Sequence, residues 1–444
     1  MKIHLTISSL LMLVISTSIN LNYSQAQSAD SIHLVGKLSI TGLPIHDVWG
    51  YIDDSTGNEY ALLCASTEGL RVIDVTDATA PVLVGSISGG GIQAVDVKTW
   101  THYAYLMAEP STISGKIIDL TDPSNPMLAG TFPGAHNTYI SESGYMYQAA
   151  PGLRIYDLNP DPENPVLVFE DPTCLGHDIS IVGNLLYDFS DNCGTRIFDI
   201  TQPDTVQLLG TVPASGIFHH SGWPSEDGNH LFICDELAST SENDITVWDI
   251  SNLANPTLVD SFADSNSYVH NLYVEGDYAF VSYYRAGFRV FNVSDPTAIT
   301  LAAEYDTDSS ASGPGFGGNF GLYTFWGTDK ILASDEENGL YIFRFTSTNT
   351  GISRPAGGAQ FEMSIFPNPS RGSSTLNYVL RESGVVQIEI YSILGQNVVT
   401  YNEGFQGPGQ HLLKLSTADW PAGIFVVKVI AGGHQQTGRL VVER

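Results

Sequence analysis

Residues 69–87 read GLRVIDVTDATAPVLVGSI. A glycine opens the stretch, an alternating strand runs to Asp74, a polar turn with Pro81 follows, and a second short strand closes it. Apolar and polar residues at period two mark a half-buried strand, and Thr, Asp and Pro between two such runs mark a turn. The pattern recurs as GKIIDLTDPSNPMLAGTF from Gly115, GLRIYDLNPDPENPVLVFE from Gly152 and GTRIFDITQPDTVQLLGTV from Gly194. It continues as DITVWDISNLANPTLVDSF from Asp244, GFRVFNVSDPTAITLAAEY from Gly287 and GLYIFRF from Gly339. The acid that ends the strand stands at Asp74, Asp119, Asp157, Asp199 and Asp249, with Asn292 and Arg344 in its place in the last two units. Successive markers lie 38 to 52 residues apart. Repeats of that length, each with room for four short antiparallel strands, indicate propeller blades. In the first unit these are HDVWGYI from His46, then EYALLCAS, LRVIDV and PVLVGSI. A parallel β-helix is the alternative, but its repeats are shorter and lack hairpin turns.

The seventh unit stops at GLYIFRF without a fourth strand. Residues 33–39, HLVGKLS, precede the first unit and match the fourth-strand wording PVLVGSIS. The start of the propeller is therefore expected to complete its last blade, which removes two exposed sheet edges. The expectation is an all-β chain with a seven-bladed β-propeller over residues 31–347. Residues 348–360, small, polar and glycine-rich, read as a linker. Residues 361–444 read as a small β-sandwich, with strands expected near 364–366, 374–380, 385–391, 410–415 and 424–430.

Ahead of the propeller, MKIHLTISSLLMLVISTSI has a basic start and an apolar run, and Ser24-Gln25-Ala26 offers small residues for cleavage. Residues 1–26 are read as a secretory signal peptide, with no transmembrane segment in the mature chain. Export permits disulfides. Cys174 and Cys193 fall within one repeat and form the expected pair, whereas Cys64 and Cys234 are expected as buried thiols. Hydrophobic residues make up 43% and charged residues 15%, which fits a core-forming chain. The net charge of −30 argues against nucleic acid, which needs a positive surface. Residues 361–444 carry six basic and six acidic residues, so the acidity belongs to the propeller.

The words LRVIDV, LRIYDL, TRIFDI and FRVFNV resemble the LVIVD repeat of bacterial surface propellers, often found in choice-of-anchor proteins. That resemblance implies a propeller at the cell surface and no settled activity. IFPNPSRG (365–372), IYSILGQNV (390–398), GQHLLKLS (409–416) and PAGIFVVKV (421–429) resemble the C-terminal sorting domain of the type IX secretion system. This implies the type IX machinery as a partner and passage through the outer membrane. The protein is then released or surface-attached, and the sorting domain is removed.

Functional residues are expected where innermost strands begin. His46-Asp47, His136-Asn137, His177-Asp178, His219-His220 and His270-Asn271 share that phase, with Gln93 and Asn319 assigned to the other two blades. The next strand returns to the same face, where loops carry Glu68, Glu109, Asp191, Asp235-Glu236 and Asp335-Glu336-Glu337. Topology thus gathers histidines and carboxylates at one mouth. Three readings compete. The histidines hold the blades together, or the cluster binds a divalent metal ion through His136, His177, His220 and His270, or it catalyses through bound water. Neutral imidazoles suit a transition metal, and dominant carboxylates suit calcium. Trp49, Tyr139, Trp223 and Tyr273, three residues after the histidines, are expected to pack between blades rather than stack on sugars. No G-x-S-x-G elbow occurs. SGPGFGGNFG (312–321) lacks the lysine and helix of a phosphate loop and is read as a mouth loop. The expected function is that of an extracellular binding or scaffold module with an unknown ligand. A metal-dependent hydrolase is the alternative.

Overall fold

The computed structural model describes residues 30–347, except 54, 142, 191–192, 215, 238–242, 311–312 and 326–327. It also describes residues 361–442, except 367, 369, 371, 381–383, 393–395, 408, 419, 422 and 432–433. The signal peptide, the linker and Asp191 lie outside the described residues. Among the described residues no helix is long and apolar enough to cross a membrane.

Seven four-stranded antiparallel sheets follow one another as blades of a propeller. Blade 1 runs Val48–Ile52, Glu59–Cys64, Leu70–Asp74 and Val82–Ile87 from the axis outward. The quoted stretch 69–87 is therefore the outer half of a blade. Its marker residue builds the turn between the third and fourth strands. Asp74 Oδ1 accepts the amide of Thr76 at 2.9 Å, and Asp119, Asp157, Asp199 and Asp249 accept the amide two residues on in the same way. Asn292 does so at 3.0 Å, which explains why Asn replaces Asp there. Arg344 has no such turn to build, because its strand continues to Thr346.

The seventh blade consists of Asn319–Thr324, Ile331–Asp335 and Gly339–Thr346, completed by the N-terminal strand Ser31–Leu38. The pairing runs from Ser31↔Thr346 to Leu38↔Leu340, so the ring closes as the displaced fourth-strand wording indicates. The glycine in LVGKL and LVGSI serves the seam between blades. A Cβ at Gly36 would lie 1.9 Å from the carbonyl oxygen of Ala78, in the turn of blade 1. At Gly85 it would lie 2.2 Å from that of Pro123, in the turn of blade 2. Where it carries this glycine, the fourth strand lets the next blade's turn approach its backbone directly. The interblade core is continuous across the closure. Trp49, Leu62 and Val72 of blade 1 share a buried cluster with Ala94 and Leu106 of blade 2, and with Tyr323 and Leu332 of blade 7.

The C-terminal module is a β-sandwich. Phe361–Phe366, Ser373–Leu380 and Gly409–Ser416 form one sheet. The other contains Asn397–Gln406, Gly384–Ser392, Gly423–Ala431 and His434–Val442. Leu376, Tyr378 and Leu415 of the first sheet share one core with Ile388, Ile390, Phe425 and Val427 of the second. Two of the seven strands, Asn397–Gln406 and His434–Val442, are missing from the sequence expectation. Their polar runs, TYNEGFQ and HQQTG, hide the alternation that marks a strand.

A histidine-lined mouth above a closed aromatic floor

The innermost strands of blades 1, 2, 4 and 6 start with a kink that turns two consecutive residues toward the axis. In blade 1 the amide of His46 donates to the carbonyl of Cys64 at 2.8 Å, and the amide of Cys64 donates to the carbonyl of Asp47 at 3.0 Å. Two residues therefore oppose one, which is a β-bulge. His270 and Asn271 oppose Ser282 in the same way, and the registers of blades 2 and 4 skip at residues 95–96 and 177–178. A regular strand sends neighbours to opposite faces. The bulge re-aims them.

This register corrects two assignments. Gln93 and Asn319 do not stand at the histidine position. Aligning each strand on the residue three further along places Val95-Asp96 there in blade 2 and Phe320-Gly321 in blade 7. Asn319 is buried, and its side-chain amide donates to the carbonyls of Gly321 and Ser334 at 2.9 and 3.0 Å.

The lowest layer is aromatic. Ring centroids run Trp49 to Tyr139 at 6.5 Å, Tyr139 to Trp223 at 6.2 Å and Trp223 to Tyr273 at 5.0 Å. Tyr273 to Tyr323 at 6.1 Å and Tyr323 to Trp49 at 3.9 Å complete the circle. The expectation of interblade packing gains a specific form, a closed ring that floors the channel. Lys98 takes the aromatic position in blade 2, with its ammonium 4.6 Å from the Trp49 ring centre. It bonds Asp47 at 3.1 Å and also Asp96, all three being buried. Burial raises the Asp47 pKa, and the neighbouring Asp96 adds to that against the pull of Lys98. Burial lowers the Lys98 pKa, but Asp96 and Asp47 outweigh it and hold the ammonium well above its ordinary value. Asp47 is thus committed to a buried ion cluster one layer below the mouth.

Asn137 and Asn271 belong to that deeper layer too. Asn137 Oδ1 accepts the amide of Ile179 at 3.1 Å, and the Asn271 amide, oriented toward its acceptors, donates to Asp178 Oδ2 at 3.3 Å. Above the floor, Lys98, Asn137, Asp178, Ser180, Ser221 and Asn271 line a cavity of about 30 Å³, room for a water molecule.

Five histidines form the upper layer, and each commits Nδ1 to an acceptor. His46 bonds the carbonyl of Ala94 at 2.7 Å, His220 that of His270 at 3.1 Å and His270 that of Phe320 at 2.6 Å. His136 bonds Glu109 at 2.7 Å, and His177 bonds Asp178 at 3.0 Å. Carbonyls and carboxylates only accept, so Nδ1 carries the proton in all five. In a neutral ring this leaves the Nε2 lone pair free. The rings run side by side from His136 to His177 at 4.3 Å, to His220 at 4.2 Å and to His270 at 4.8 Å. Nε2 of His220 and of His270 lie 3.4 and 3.8 Å from the two carboxylate oxygens of Glu236. Tyr284 donates its hydroxyl to Glu236.

Burial pushes the His220 imidazole down to about 3 and lowers that of His270. Burial raises Asp178 and Glu236, but the imidazoles around each outweigh it and hold both carboxyls below their ordinary values. For His136, burial lowers the pKa, and the bond to Glu109 with nearby carboxylates reverses the sign.

Other expected mouth residues serve elsewhere. His219 turns away from its neighbour, because adjacent residues of an extended chain alternate. Its Nδ1 meets Thr195 Oγ1 at 2.8 Å in a fully buried site. Asp235 accepts the amides of Phe218 and Leu237, both at 3.1 Å, and so ties two loops. Asp335 is buried and caps its own turn through Glu337 and Asn338. Glu68 pairs with Arg71 at 3.5 Å on the surface. Glu336 remains beside the mouth, where its carbonyl accepts the amide of Ile45 at 3.1 Å and burial pushes its carboxyl up to about 7. Cys174 and Cys193 are bonded, with Cα atoms 6.1 Å apart, beside His177 in blade 4, while Cys64 and Cys234 are buried thiols. Sequence reasoning passed over Lys98, Tyr284 and Phe320. VDVK matching HDVW was the available signal for Lys98.

The LVIVD repeat family matches residues 57–88, 227–264 and 267–307, and the family described as "Secretion system C-terminal sorting domain" matches residues 364–443. No curated protein matches the chain. Among solved structures, it is similar to PorZ of Porphyromonas gingivalis, described as an essential bacterial surface component of the type-IX secretion system. The identity is 14% and the TM-score 0.47, over 92% of this chain and 61% of PorZ. The chain is an LVIVD-repeat β-propeller joined to a secretion-system C-terminal sorting domain.

Proposed function

We propose that the protein is delivered through the type IX secretion system to the cell surface or medium, where its propeller binds a partner protein through the histidine mouth. The sorting domain supports the delivery. The observation that carries the binding role is the rim. Ile113, Leu175, Leu237 and Phe316 come from loops of blades 2, 4, 5 and 7, and are 39%, 60%, 58% and 51% exposed. Large apolar side chains on four separate mouth loops, around a buried polar centre, have the layout of a recognition surface. The acidic propeller favours a partner with a basic face.

Site-specific photo-crosslinking in cells tests this. A photoreactive residue at Leu175, Leu237 or Phe316 is expected to give one discrete adduct. The same residue at Thr79 or Ser124, in the turns between third and fourth strands, is expected to give none. Adducts from the turns alone, or from neither set, contradict the reading. In the same cells a chain without residues 361–444 is expected to stay in the periplasm, and its normal export contradicts the delivery.

A further inference from the structure

We propose that His177, His220 and Glu236 bind one divalent transition-metal ion of the zinc class at the centre of the mouth, leaving a coordination position for the partner. This rests on the mouth being the binding face. One ligand atom from each of the three residues lies within 4.8 Å of the others. The His220 Nε2 to Glu236 Oε2 separation of 3.4 Å fits a shared tetrahedral ion, whose donors at zinc–nitrogen lengths of about 2.0–2.1 Å lie about 3.3 Å apart.

The tautomers make an independent argument. Nδ1 of His220 donates to a backbone carbonyl and Nδ1 of His177 donates to a carboxylate, so Nε2 is the nitrogen each ring has left for an ion, and that of His220 faces Glu236. A metal-binding histidine requires this arrangement, in which the second nitrogen is tied down by a carbonyl or carboxylate. The third ligand is held likewise, by the Tyr284 hydroxyl on Glu236. Nε2 of His220 and of His270 both face the Glu236 carboxylate, where a cation would take a lone pair from each. No lysine or arginine pairs with Glu236 among the described residues. Two neutral imidazoles and a carboxylate, with few oxygen ligands, suit zinc or its neighbours better than calcium. Three protein ligands also leave a fourth position open, as in sites that exchange ligands.

Titration calorimetry of the full exported protein, stripped with chelator and titrated with Zn²⁺ alone, tests the assignment. The expected result is one equivalent bound with micromolar or tighter affinity. Glu236→Gln, close in shape, is expected to weaken binding at least 10-fold, and Tyr284→Phe by about 10-fold through loss of the supporting bond. His102→Ala, on the surface beside Asp119, is expected to leave binding unchanged. Absence of stoichiometric binding overturns the proposal. So does binding that survives both Glu236→Gln and His220→Ala in variants shown by circular dichroism to be folded. Rim adducts without zinc binding remove the metal and keep the mouth as partner surface, whereas zinc binding without rim adducts does the reverse.

Discussion

Gly36→Val is expected to lower the propeller's melting midpoint by roughly 5 °C, from an overpacking cost of about 3 kcal/mol. The residue lies in the N-terminal strand that completes blade 7. Its missing side chain is where the turn of blade 1 rests, with the Ala78 carbonyl oxygen 1.9 Å from any Cβ. The obstacle is backbone rather than the end of a flexible side chain, so the seam must open. Opening it exposes two sheet edges and the core shared by blades 1, 2 and 7. Leu34→Val, on an exposed position of the same strand, serves as control and is expected to melt with the parent. Equal midpoints for both variants would mean that this strand does not close the ring.

Lys98→Met is expected to cost about 3–5 kcal/mol in chemical denaturation, the magnitude for removing one partner of a buried ion pair. Methionine approximates the length of the stem but leaves Asp47 and Asp96 buried without their cation. Lys98 also stands where other blades put an aromatic ring, over the face of Trp49. Adding Asp47→Asn and Asp96→Asn to Lys98→Met is expected to restore a large part of the loss. The side-chain carbonyl that Asp96→Asn leaves in place can still accept the Thr138 amide, which Asp96 accepts at 2.9 Å. If Lys98→Met alone were as stable as the parent, the buried ion cluster would have no part in the channel.

The ring could be read from the chain because its parts are local. The marker Asp makes a two-residue turn, and the fourth-strand glycine has one function in several blades, so HLVGKLS out of place identified the closing strand. The histidines were legible as a phase, and five of them share a layer. What the sequence hid was register. Where a bulge makes two residues oppose one, alternation no longer tells which side chain faces the axis. Gln93 and Asn319 take the place of Val95-Asp96 and Phe320-Gly321 in the sequence reading for that reason. His219 and His220 look equivalent as letters, yet one bonds Thr195 between blades and the other faces Glu236. Acidic loop residues were ambiguous in another way. Asp235 and Asp335 cap turns and Glu236 does not, a distinction that depends on which amides lie within reach.

His220 and His270 stand as neutral Nδ1–H rings, each with Nε2 facing Glu236. Nitrogen-15 NMR of the histidine-labelled, metal-free protein at pH 7 measures this directly. The predicted result is the neutral Nδ1–H tautomer for His220 and His270, identified by loss of their signals in His220→Ala and His270→Ala, with the Nε2 resonance moving when Zn²⁺ is added. Imidazolium signals or Nε2–H tautomers at these two positions would contradict this assignment.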